Sequence, residues 1–137
     1  MSLIEEALWK RLTDHSGATA LIAKRLYPVI APQNVMRPFV TYRRVSGIRE
    51  QSHDGASCLS FDRFQFTAWD DDYLRTTGAR MVSEQIRLAL EGYSGTILSV
   101  SINGILMLTE LDTHDVETKL YGVISDFQVA HNEAAPS

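Results

Sequence analysis

The sequence holds a single cysteine, Cys58, among 137 residues, so a framework of intramolecular disulfides is excluded. One free thiol suits a reducing compartment, or simply has no redox role. A surplus of positive charge is also missing. Lys and Arg number 13 against 17 Asp and Glu, for a formal net charge of −4. Proteins that grip duplex DNA by its phosphates concentrate Lys and Arg on one face. Here they come as scattered pairs, Lys10–Arg11, Lys24–Arg25 and Arg43–Arg44. The N-terminus, MSLIEEALWKRL, mixes charged and apolar residues at once, which does not read as a signal peptide. Charge is absent from Gly92 to Thr109, a run the length of a short membrane span. Ser94, Thr96, Ser99, Ser101, Asn103 and three glycines interrupt it, so a strand region in water is expected there and no membrane partner.

What remains is ordinary for a globular domain: 45% apolar and 22% charged residues. At this length about two thirds of the unfolded chain's surface can be buried, enough for one core without disulfides or a structural metal. Residues 1–131 are expected to form a single α+β domain and 132–137 a flexible tail.

The periodicity divides the chain into elements. Ser2 and Glu5 have the spacing of a capping box, and Leu3, Ile4, Ala7, Leu8 and Leu12 form one helical stripe ending near Asp14. Ala18, Leu21, Ile22 and Leu26 suggest a second short helix that stops before Pro28. The stretch from Tyr27 to Pro38 carries three prolines and no period, and reads as an ordered loop. Phe39–Ile48 and Leu59–Trp69 read as strands; in the second, Phe64, Phe66 and Ala68 alternate with Arg63, Gln65 and Thr67. Gly47–Cys58 reads as a long polar hairpin tip. Asp70-Asp71-Asp72 is expected to open a third helix with Leu74, Gly78, Met81, Val82, Ile86, Ala89 and Leu90 inward. Arg80/Glu84 and Arg87/Glu91 have i,i+4 spacing on its outer side. Asn103-Gly104 between two β-rich runs is a strong hairpin signal. A last strand runs from about Leu120 to His131, long and poor in edge-blocking charge, so a neighbour could pair with it by strand addition or pack an apolar patch on it. The expected fold is an antiparallel sheet of about four to five strands packed against two or three helices, in the order α-α-β-β-α-β-β-β.

The chemistry is sparse. No G-x-S-x-G elbow, P-loop or G-x-G-x-x-G occurs. Asp70–Asp72 could hold Mg²⁺, yet acids at a helix start are expected on dipole grounds alone. Glu110, Asp112 and His114 share one strand face, as a metal site could, but Asp115 and Glu117 make a solvated charged edge the better reading. His53 and Cys58 could pair as a nucleophile and base, but lack a third orienting residue. His15 and His131 end elements and read as surface residues. Trp9 and Trp69 read as core or interface packing. No catalytic, cofactor-binding or metal residue is assigned.

The most distinctive stretch is Arg25 to Gly47, RLYPVIAPQNVMRPFVTYRRVSG. It carries Arg25-Leu26-Tyr27-Pro28, then Ala31-Pro32-Gln33, then Pro38-Phe39-Val40, Tyr42 and Arg44-Val45-Ser46-Gly47. In this it resembles the tail completion proteins of long non-contractile-tailed phages, also called tail terminator or head–tail joining proteins. Leu3, Glu6, Ala7 and Leu8 near the start, the aromatic strand into acids from Phe64 to Asp72, and Leu120, Tyr121, Asp126 and Phe127 near the end extend the likeness more weakly.

The resemblance implies a structural virion or prophage protein with no cofactor and no enzymatic activity. It implies self-association into a ring, usually of six, that caps the finished tail tube and docks to the head connector. The implied location is the host cytoplasm during assembly and then the virion tail, at the head–tail interface. DNA would pass through the ring without specific binding. Six chains at −4 each would give the ring a strongly negative balance that repels phosphates, with Glu110–Glu117 or Asp70–Asp72 as candidate sources. Arg49, Glu50, Gln51, His53 and Asp54, in the polar tip, are expected to form a mobile finger that orders on tube or connector. The alternatives are a head-closure or minor tail protein on a similar scaffold, and a small metal-dependent enzyme using Asp70, Asp72 or the Glu110–His114 group.

Overall fold

The computed structural model describes residues 3–51, 58–74 and 78–133, the positions 48–51, 58 and 133 by backbone alone. Three helices, α1 (Ile4–Asp14), α2 (Ser16–Ile22) and α3 (Ala79–Leu90), pack on one face of a six-stranded sheet. The strands are β1 (Leu26–Pro28), β2 (Phe39–Gln51), β3 (Cys58–Asp70), β4 (Gly95–Ile97), β5 (Val100–Asp115) and β6 (Leu120–Glu133). Across the sheet they lie in the order β1-β2-β3-β6-β5-β4.

The sequence expectation of a purely antiparallel sheet of four to five strands is therefore corrected. The sheet has six strands and is mixed, because β1 runs parallel to β2, with Leu26, Tyr27 and Pro28 opposite Val40, Thr41 and Tyr42. The element order gains a strand after α2. β1 is only three residues long and contains a proline, which is tolerated at a sheet edge, where no ladder bond needs its missing N–H. A strand so short has no period to read.

Three further expectations shift. Helix α1 is entered at Leu3, whose N–H donates to Glu6 Oε1 at 3.3 Å; Ser2 lies outside the described residues. Helix α3 begins at Ala79 with Gly78 as its cap, not at the aspartates, and Asp70 is the last residue of β3. Leu74, assigned to the inward stripe, is exposed. The expected hairpin at Asn103-Gly104 is a β-bulge inside one continuous strand, with the register stepping between Ile102 and Gly104. The tight turn sits at Leu98-Ser99, both at positive φ, where Ile97 faces Val100. On either side of the bulge Ile102 and Ile105 are buried and Met107 packs against the core.

The core lies between the helices and the sheet. Phe64 and Phe66 of β3 meet Phe127 and Val129 of β6, and Leu8, Leu12, Ile22, Val82, Ile86 and Leu90 close over them. The Phe66 ring meets Phe127 edge-on at 5.9 Å and stacks on Tyr42 at 5.8 Å. Asn132 and Glu133 remain paired in β6, and residues 134–137 lie outside the described residues. No described helix is long and apolar enough to cross a membrane. The uncharged run from Gly92 onward forms β4 and the first half of β5.

Candidate assembly surfaces

The sheet has one face under the helices, one face free of them, and two rims. Each carries a different set of side chains. On the helix-free face the odd-numbered residues of β3 alternate outward: Arg63, Gln65, Thr67 and Trp69. They meet Ile124, Asp126 and Gln128 of β6. The Asp126 carboxylate accepts from the Arg63 guanidinium and from Thr109 Oγ1. Trp69 donates its indole N–H to Thr41 Oγ1 at 3.1 Å and lies over Gly122. A Cβ at Gly122 would come within 2.8 Å of the indole ring. Beside the Asn103-Gly104 bulge, Phe61, Leu106, Gln128 and Ala130 line a shallow groove of about 320 Å³.

At one rim, β1 covers β2 only from Val40 to Tyr42, and Val29 adds one bond to the Tyr42 carbonyl. From Arg43 onward no strand among the described residues flanks β2 on that side. Arg43, Arg44 and Val45 are exposed there. At the other rim, β4 covers β5 only from Val100 to Ile102, and Gly92 donates to the Ile105 carbonyl. From Leu106 to Asp115 no described strand lies alongside. Leu106 is 59% exposed and Leu111 53% exposed. The strand expected to accept a neighbour, Leu120–His131, is in the sheet centre, hydrogen-bonded to β3 on one side and β5 on the other. The open strands are β2 and β5.

The Glu110, Asp112, His114 series does share one face of β5, the face toward α3. Glu110 pairs with Arg80 at 2.7 Å and accepts from Ser83, which also bonds Ser125. The Tyr73 hydroxyl donates to Asp112 at 2.6 Å, and His114 packs edge-on against Tyr121. Asp112 holds the Tyr73 hydroxyl above the usual tyrosine range by that hydrogen bond. Arg80 thus reaches Glu110, not Glu84. Glu84 and Glu91 both pair with Arg87, which holds the Glu84 carboxyl below its ordinary value. Asp71 lies 3.9 Å from Arg37, and Asp72 accepts from the Leu74 N–H. Among the described residues no three His, Cys, Asp or Glu side chains converge to hold a metal ion.

Of the finger residues, the backbones of Arg49, Glu50 and Gln51 continue β2, opposite Ser60, Leu59 and Cys58 of β3. The strands therefore run deeper into the tip than the sequence suggests. His53 and Asp54 lie outside the described residues, and so does the His53 half of the His53–Cys58 pair.

One feature escaped the sequence reading. His131 is not a surface residue. It is 2% exposed and its Nε2 lies 2.8 Å from Asp62 Oδ2, itself buried. Gly47, paired with Asp62, leaves room for that carboxylate: a Cβ there would run into Asp62 Oδ1. The alternation of β3 places Asp62 on the inward face, but its partner is 69 residues away and no local pattern announces it.

A family model described as tail completion protein gp17 matches residues 6–132. Among solved structures, a chain described as part of the virion of a native gene transfer agent particle superposes with a TM-score of 0.75. The two are 14% identical, and the match covers 95% of each chain. At that identity the likeness establishes the fold. No individual curated protein sequence matches.

Proposed function

Because the chain belongs to the tail completion protein gp17 family, we propose that it closes the end of a finished phage or prophage tail tube and forms the joint to the head connector. It is a phage tail completion protein with a structural role. The observation that carries the finer reading is the family match across residues 6–132, nearly the whole chain. A surface with two open strand rims and a polar helix-free face is suited to joining copies and neighbours.

On this reading the chain assembles into a ring, six subunits in the simplest case, at the head–tail interface of the virion after assembly in the host cytoplasm. The tail tube protein and the head connector are its partners. DNA slides through without specific binding, and a ring built from chains of charge −4 disfavours phosphate contact. The residues Arg49, Glu50, Gln51, His53 and Asp54 form the contact with tube or connector, at the end of the β2–β3 ribbon. The subunit works through binding surfaces and performs no reaction.

Loss of the gene from the parent phage tests this. Filled heads should accumulate beside unattached tails, some of abnormal length. Intact infectious particles would defeat the assignment. Recovery of the protein on DNA-filled heads, with none on isolated tails, would move it to head closure.

A further inference from the structure

The two open rims are at opposite sides of one sheet and carry opposite charge. We propose that they are the two halves of a single seam, in which the β5 rim of one copy pairs with the β2 rim of the next copy of this chain. The inference rests on the ring reading above and specifies how its subunits join.

Strand direction favours the seam. β2 is antiparallel to β3, β3 to β6, and β6 to β5, so β2 and β5 run in opposite directions. Repeating the subunit by rotation therefore sets β5 antiparallel to the next β2, as among the four long strands. The contact is heterologous, so repetition gives a ring where the rotation closes, and not a two-fold dimer.

The capping strands set the offset. Val40, covered by β1, is level across the sheet with Ala68, Val123 and Asp112. β4 covers the other end of β5, at Val100–Ile102. The open stretches are thus displaced from each other along the strands. Sliding adjacent copies by about four residues aligns them. Over four strands spaced about 4.8 Å apart, that slide is a strand tilt of about 35°, within the range that closed barrels adopt.

The aligned rims are chemically matched. The offset brings Arg44 of one copy opposite Asp112 of its neighbour, and Val45 beside Leu111. All four are exposed in the single chain. Arg44 and Asp112 both project on the helix-bearing face: Arg44 is opposite Phe64, and Asp112 shares its face with Glu110, which reaches α3. Opposite charges facing each other across strands attract, and like charges there repel.

A charge swap tests the seam. The variants are Arg44→Asp, Asp112→Arg and the two combined in one chain. Both positions are on the surface, and circular dichroism checks that each variant stays folded. Association is followed by mass photometry and sedimentation at rising concentration, alone and with tail tubes of the parent virion. Each single variant should associate roughly tenfold more weakly per seam, because an attraction becomes a repulsion. The combined variant should recover to within about threefold of the original chain, since the pair is restored with its signs exchanged. An equimolar mixture of the two single variants should recover as well. If the original chain associates and the single variants associate equally well, or the combined variant fails to recover, the seam is overturned while the ring reading stands. If the single variants keep their self-association and lose only tube binding, the rim belongs to the tube protein and the proposal falls. If the original chain stays monomeric under every condition, the ring reading fails and the seam with it.

Discussion

Trp69 and Gly122 show how one residue sets another. The indole lies where a Cβ of residue 122 would be, 2.8 Å from the ring, and Thr113 Cγ2 is 2.9 Å away on the adjoining strand. Gly122→Ala should therefore cost about 1–3 kcal/mol of stability, the usual range for overpacking. A thermal melt checks it, and Trp69 emission reports the displaced ring. Tyr73 offers a second test. Its hydrogen bond to Asp112 raises the hydroxyl's pKa. The stabilisation is complete below the ordinary tyrosine value of about 10 and is lost as pH rises through the raised folded value. Absorbance near 295 nm during alkaline titration should show a late-ionising tyrosine that moves to lower pH in Asp112→Asn. Inward residues such as Phe64, Phe66 and Phe127 were legible in the sequence, because alternation alone dictates them. The Asp62–His131 pair was not, because its two halves are joined only by the β3–β6 register.

At the level of elements, local signals compete, and tertiary pairing decides among them. Asn103-Gly104 is good turn chemistry, yet the chain turns at Leu98-Ser99 and passes through the better sequence as a bulge. β5 must pair along nearly all of β6, from Asn132 to Leu120, and a turn at residue 103 would sacrifice the end of that ladder. Asn103 serves the bulge by donating its amide to the Asn132 side chain at 3.3 Å. The real turn holds two non-glycine residues at positive φ. Leu98→Asn with Ser99→Gly should thus stabilise by about 0.5–1 kcal/mol, through residues that adopt this geometry without strain. A melting temperature raised by about 3 °C would show it. Helix α3 teaches the same lesson from the other side: its stripe from Val82 to Leu90 was readable, whereas its start was not, because three aspartates mimic a cap that the extension of β3 pre-empts.

For the whole molecule, what the sequence conveyed was kinship. The Tyr-Pro, Ala-Pro-Gln and Pro-Phe-Val motifs pointed to the tail completion family, and the match over residues 6–132 agrees. Strand adjacency was harder to see. Hairpin signals join neighbours in sequence, whereas β6 inserts between β3 and β5, and this central place removes it as a docking edge. The finger makes the prediction at this scale. Replacing Arg49, Glu50, His53 and Asp54 together by alanine should leave melting unchanged and abolish tail joining, scored by electron microscopy of lysates; normal joining would refute the finger. The exposed flanks of β2 and β5 have one more consequence. Backbone donors and acceptors left open on both sides make a solitary subunit adhesive in two directions. Soluble proteins usually blunt such flanks with lysine, proline or a covering loop. Here β1 and β4 shield three residues apiece, and no other strand among the described residues lies alongside. If the proposed seam forms, the chain concentrated away from its virion should run on into open filaments wherever rotation fails to close the circle.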